Sequence, residues 1–142
     1  MNTNHSIIAK IHYLSKLLDQ NLSKLLEEKG LTPQQGRVLL FVCNVYEKEE
    51  ITQETLCRVF ELSKSTVSGL VKRLVNNDLI KLEINKNSHI LKPTDKGNEL
   101  RLYFKEQRDK TIEKLLNNVS EKENDELMNK LDLLISNMRK EN

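Results

Sequence analysis

The chain has 142 residues, enough for one compact domain with its own core. Lys and Arg number 23 against 21 Asp and Glu, a net charge of +2, so bulk charge alone marks no polyanion binder. Four Gly and two Pro predict a mainly helical chain, while two cysteines exclude a disulfide framework and the short apolar runs exclude a membrane-spanning helix.

Met1–His5 is polar and lacks the apolar core of a signal peptide, so a cytoplasmic protein is expected. Residues 6–29 predict a long first helix. Ile7, Ile11, Leu14, Leu18, Leu22 and Leu25 form one stripe, widened by Ile8, Leu17 and Leu26, and Gly30 suits a left-handed stop. His12 and Tyr13 on this helix have no second ligand at metal spacing and are assigned to packing. A second helix opens at Thr32-Pro33-Gln34-Gln35, with Thr32 as N-cap, Pro33 in the first turn and Gln35 completing a capping box. Val38, Leu39, Phe41, Val42 and Val45 make it apolar on most sides, hence central. Glu47-Lys48-Glu49-Glu50 reads as a surface turn. Cys43 and Cys57, inside apolar helical patterns, are assigned to the core.

Thr52 caps a third helix whose Leu56, Val59 and Phe60 should face inward. Glu61-Leu62 turns, and Ser63 caps a fourth. On that fourth helix Val67, Leu70, Val71 and Leu74 stack into one apolar stripe. Opposite them come Ser65, Gly69, Lys72 and Asn76, flanked by Ser68 and Arg73. This outward face is small, polar and cationic, with no acid and no bulky hydrophobe. Two short helices joined by a tight turn, the second with such a face, form a helix-turn-helix. Asn76-Asn77-Asp78 should stop the helix, because Asn tolerates a left-handed cap.

Leu79–Ile84 then alternates apolar and charged residues, the pattern of a half-buried strand. Asn85-Lys86-Asn87-Ser88 is turn chemistry, and His89–Lys92 returns as a second strand, so a hairpin wing with Lys86 at its tip follows the helix. Pro93-Thr94 ends it. Thr94 caps a fifth helix to about Val119, carrying Leu100, Phe104, Ile112, Leu115 and Leu116 with Tyr103 beside them. Ser120-Glu121-Lys122-Glu123 is a capping box for a last helix, in which Leu127, Leu131, Leu134 and Met138 recur. Both terminal helices offer more apolar stripe than one small core consumes, so they are expected to pack on each other and on a second copy. A monomer with a helical tail is the alternative.

Charge is unevenly placed along this plan. Residues 63–92 hold six cations (Lys64, Lys72, Arg73, Lys81, Lys86, Lys92) against two acids (Asp78, Glu83). The segments on either side each carry one more acid than cation. The excess lies on the fourth helix and the wing, as an electrostatic footprint for nucleic acid should. Three scattered histidines, no Ser/His/Asp arrangement, no glycine-rich phosphate loop and no metal-spaced cluster argue against an enzyme, a metal site or a cofactor.

With these pieces in this order the chain resembles the MarR family of winged-helix regulators over nearly its whole length. Leu31-Thr32-Pro33-Gln34-Gln35, Ile51-Thr52-Gln53, Leu62–Ser68 running into Val71-Lys72-Arg73-Leu74, Leu79-Ile80 and Leu91–Gly97 carry the likeness. The resemblance implies a mainly α fold: a winged helix-turn-helix with a two-stranded β wing and N- and C-terminal dimerisation helices. As one domain over 1–142, it would use 6–30 and 94–142 for dimerisation and 32–92 as the DNA-binding region. It also implies a homodimer on double-stranded DNA, most often a repressor, relieved in many members by a small aromatic acid or by oxidation. Ser65, Thr66, Ser68, Gly69 and Lys72 are then candidates for groove contact, and Ser63, Lys64 and Arg73 for phosphate. Lys86 and His89 are the wing candidates. Ile7, Ile11, Leu14, Leu127, Leu131, Leu134 and Met138 are the dimerisation candidates. An effector pocket would lie near His12, Tyr13 and Phe41. The wing departs from the family in lacking an Asp and an Arg near its tip, and the first helix lacks the cysteine of oxidant sensors. That short wing leaves a second reading open, a winged-helix dimer that docks on a partner protein.

Overall fold

In the computed structural model residues 3–140 are described, with side chains from Ser6 onward, so the polar stretch Met1–His5 lies largely outside the described part. The elements run α1 (Thr3–Glu28), α2 (Pro33–Val45), α3 (Gln53–Phe60), α4 (Lys64–Asn76), β1 (Ile80–Asn85), β2 (Ser88–Pro93), α5 (Asp95–Leu115) and α6 (Glu121–Arg139). They fall into two compact units, Met1–Phe104 and Lys105–Asn142.

In the first unit the core gathers Leu26 of α1, Val38, Leu39 and Val42 of α2, Leu56 of α3, Val67, Val71 and Leu74 of α4, and Ile80 and Leu91 of the hairpin. Each is almost fully buried, and aliphatic burial of this kind supplies the main favourable term in folding. Side-chain caps fix where the helices begin. Thr32 accepts from the Gln35 N–H while Gln35 Oε1 accepts from the Thr32 N–H, the predicted capping box. Thr52 and Thr55 make a second, reciprocal box at α3, with Thr55 in the place where Glu or Gln would be expected. Gly30 has φ +73, as its position after α1 requires.

The strands pair antiparallel in the register Ile80↔Pro93 to Asn85↔Ser88, leaving Lys86 (φ +59) and Asn87 as the tip. The Ile51 carbonyl accepts from the Leu91 N–H at 2.7 Å, fastening the start of α3 to β2. Thr94 closes the base. Its hydroxyl donates to the Asp78 carbonyl at 2.6 Å and accepts from the Gly97 N–H at 3.0 Å, while Lys96 Nζ donates to the Asn77 carbonyl at 3.2 Å. The segment Thr94–Gly97 therefore caps α5 and binds the end of α4 at once.

Several expectations change. The left-handed residue after α4 is Asp78 (φ 58); Asn77 stays at φ −87, and the short Asp side chain tolerates the same region. Only Ile80 of β1 is buried, because the ribbon runs past the helices and leaves Leu82 and Ile84 in solvent. Val59 is 44% exposed rather than facing inward, and Cys57 is half-buried. His12 and Tyr13 are exposed and line shallow grooves made by α1 alone, whereas Phe41 packs edge-on against Phe60 at 5.6 Å.

In the second unit, α5 ends at Leu115 rather than near Val119, and Asn118 (φ 64) completes the turn before Ser120. Ser120 and Glu123 form the expected capping box on α6, and the hydrogen bonds from Ser120 hold the Glu123 carboxyl below its ordinary range. No helix among the described residues is long and apolar enough to cross a membrane.

Candidate nucleic-acid interface

Helix α4 is held by its apolar stripe: Val67, Leu70, Val71 and Leu74 are all buried. That anchoring turns Lys64, Ser65, Thr66, Ser68, Gly69, Lys72, Arg73 and Asn76 to the outside, and all are exposed. Ser63 is the N-cap. Its Oγ accepts from the Thr66 N–H at 3.2 Å and donates to Thr66 Oγ1 at 2.9 Å, with Ser65 Oγ 3.2 Å away. The three hydroxyls so form one linked cluster, and Ser63 is occupied by capping before any external contact.

Gly69 carries a sharper signal. A Cβ built there meets no heavy atom of the described residues within 4 Å beyond its own turn of helix, so no packing among them calls for the glycine. A glycine in an exposed helix interior costs about 1 kcal/mol relative to alanine. The residue type makes sense where an outside surface must come close to the helix backbone.

Beside this face lies the first turn of α2. Thr32, Pro33, Gln34, Gln35 and Arg37 with Ser65, Thr66, Gly69, Leu70 and Arg73 line one open groove of about 520 Å³, and no acid is among them. The sequence pattern does not single out Gln34 and Arg37 for this surface. The signal it does hold is Arg37, the one charged residue of α2, in the turn that follows the cap.

On the wing, Lys86 and His89 are exposed at the distal end. Lys92 is lost to the cationic set, because its Nζ pairs with Glu83 Oε2 at 2.6 Å. This pair lowers the Glu83 pKa and raises that of Lys92. Asn85 Nδ2 donates to Glu50 Oε1 at 2.9 Å and ties β1 to the turn before α3. Among the described residues, no ion pair engages Lys64, Lys72, Arg73, Arg37 or Lys86.

The other candidates separate from this surface. Ile7, Ile11 and Leu14 on α1 are exposed, as are Leu127, Leu131, Leu134 and Met138 on α6, Met138 by 87%. Cys43 is buried 3.7 Å from the Gly97 carbonyl, and desolvation pushes its thiol up to about 11 against the opposing pull of Arg101. No group of three His, Cys, Asp or Glu among the described residues could hold a metal.

A MarR family model matches residues 29–88, the segment from the end of α1 to the first residue of β2. Among solved structures, MepR, a transcription regulator of the Staphylococcus aureus multidrug efflux pump MepA, superposes with a TM-score of 0.81. It is 22% identical over 91% of this chain and 96% of its own. A MarR family protein from Bacillus stearothermophilus matches with a TM-score of 0.81 at 23% identity over 99% of both chains. A regulator assigned to the MarR family from Listeria monocytogenes, complexed with a 26-mer DNA, is 26% identical over 92% of this chain and 87% of its own, TM-score 0.67. No curated protein sequence matches.

Proposed function

We propose that this chain, a member of the MarR family of winged-helix transcription regulators through its residues 29–88, works as a homodimeric repressor on a pseudo-palindromic operator. The family and the DNA complex of the Listeria relative support a DNA-binding regulator. The observation that carries the reading to particular residues is the α4 surface: small, hydroxylated and cationic around a glycine that no packing among the described residues requires. Ser65, Thr66, Ser68, Gly69 and Lys72 enter the major groove, one helix per subunit. Lys64, Arg73 and Lys86 neutralise phosphate, joined by Arg37 across the shared groove. Half-site centres lie about one helical turn apart, ~34 Å. Residues 32–92 form the DNA-binding region, and 6–30 with 94–142 the dimerisation helices. Relief by a small aromatic acid belongs to the same proposal and is read as a drop in operator affinity when such an acid is added.

Two substitutions test the assignment. Arg73→Ala weakens binding to all sequences and lowers the slope of log affinity against log salt by about one unit per subunit. Ser65→Ala changes which sites are preferred and leaves that slope alone. An Arg73→Ala protein with the wild-type slope removes the phosphate assignment.

The pairing of Lys92 with Glu83, which takes a cation from an already short wing, favours the second reading of a dimer that docks on a partner protein. Failure to retain any duplex at low salt would select it.

A further inference from the structure

The cap of α4 decides how Thr66 meets the outside. Ser63 Oγ donates to Thr66 Oγ1 at 2.9 Å and accepts from the Thr66 N–H at 3.2 Å. A threonine carries its oxygen and its methyl on one stiff carbon, so holding the oxygen at the cap also fixes the methyl. Thr66 is exposed, and with Oγ1 turned to Ser63 its γ-methyl is the apolar point it offers to another surface.

Helical spacing sets Gly69 on the same side as Thr66, and both line the groove shared with α2. A Cβ added at Gly69 would meet no described residue within 4 Å beyond its own turn. The Thr66 methyl therefore borders a gap, floored by helix backbone, where any other residue would put a side chain. From Ser63 to Lys72 the exposed residues are serine, threonine, glycine and lysine alone. Adenine is read in the major groove by a bidentate Asn or Gln, and this stretch holds neither. The apolar group that the major groove does present is the 5-methyl of thymine, and a threonine methyl is a side-chain group that packs on it.

We propose that the 5-methyl of a thymine seats against the Thr66 γ-methyl in the gap left by Gly69, so that each half-site is selected for thymine at one position by that methyl group. This rests on the DNA reading above and deepens it. The contact carries no charge, and so differs from the phosphate roles of Lys64 and Arg73.

The experiment uses the full chain and a duplex selected by the wild-type protein. Half-site thymines are replaced in turn by deoxyuridine, which removes the methyl and keeps every hydrogen-bonding group of the base. At one position per half-site the exchange lowers affinity about fourfold, the worth of burying one methyl. With both half-sites exchanged the loss is about fifteenfold, and the salt slope stays at its wild-type value because no phosphate contact is lost. Thr66→Ser keeps the hydroxyl and its bond to the cap, loses the same factor on the thymine duplex, and then binds both duplexes alike. Thr66→Val keeps a methyl and still separates them. Equal wild-type affinity for thymine and deoxyuridine at every half-site position would overturn the inference with the phosphate assignments untouched. A Thr66→Ser chain that still separates the two duplexes would also overturn it, since another group then reads the methyl. A wild-type chain that retains no duplex at low salt would instead overturn the DNA reading, and this inference with it.

Discussion

Gly69 and Gly97 hold opposite positions in the same architecture, and the contrast separates function from folding. At Gly69 an added methyl meets open space, so alanine restores helix propensity and reduces the freedom of the unfolded chain. Gly69→Ala is expected to raise stability by up to about 1 kcal/mol in urea unfolding while weakening operator binding severalfold in a fluorescence titration. A variant that gains stability and keeps full affinity would place the close approach elsewhere. The outward direction of Gly69, Lys72 and Arg73 was legible from helical spacing, because four aliphatics settle which side is inside. The Lys92–Glu83 pair was not, since a diagonal contact depends on strand register, and register is fixed by the two-residue tip. Nor was Arg37, whose significance comes from α2 lying beside α4.

Boundaries between elements were the most readable feature where a cap names itself. Thr32 with Gln35, Ser63, Thr94 and Ser120 with Glu123 all begin helices as expected. The stops were harder. Asp78, Lys86 and Asn118 carry positive φ alongside Gly30, and a non-glycine residue announces such a conformation weakly. The wing was legible as a hairpin, but its burial was not, because alternation predicts a covered face only while something lies over it. At the joint of hairpin and α5, Gly97 is the fixed point. A Cβ there would run into the Leu79 carbonyl, a backbone atom that cannot step aside. Gly97→Ala is expected to cost about 2 kcal/mol or more of stability, read by urea unfolding, since close-packed interiors accept added volume poorly. Loss below ~0.5 kcal/mol would mean that the Thr94–Gly97 clasp is not rigid.

Taken as a whole, the molecule has an almost balanced charge and a cationic excess confined to 63–92. It also has apolar stripes left in solvent: Ile7, Ile11 and Leu14 on one terminal helix, Leu127, Leu131 and Leu134 on the other. Each stripe is readable from periodicity, and in the proposed homodimer these exposed stripes are the surface on which the second copy packs. A Leu131→Asp, Leu134→Asp double variant is expected to sediment as a monomer at micromolar concentration and to lose at least tenfold in operator affinity, because two linked recognition helices bind far better than one. A variant that stays dimeric would move the interface off α6.

Selecting duplexes from fragmented genomic DNA with the purified chain, and footprinting those retained, shows whether the outward face of α4 reads double-stranded DNA twice per assembly. Two protected half-sites about one helical turn apart, related by a pseudo-dyad, are expected, with affinity falling steeply as salt rises. Retention of no fragment at low salt, or a single unpaired footprint, would rule that arrangement out.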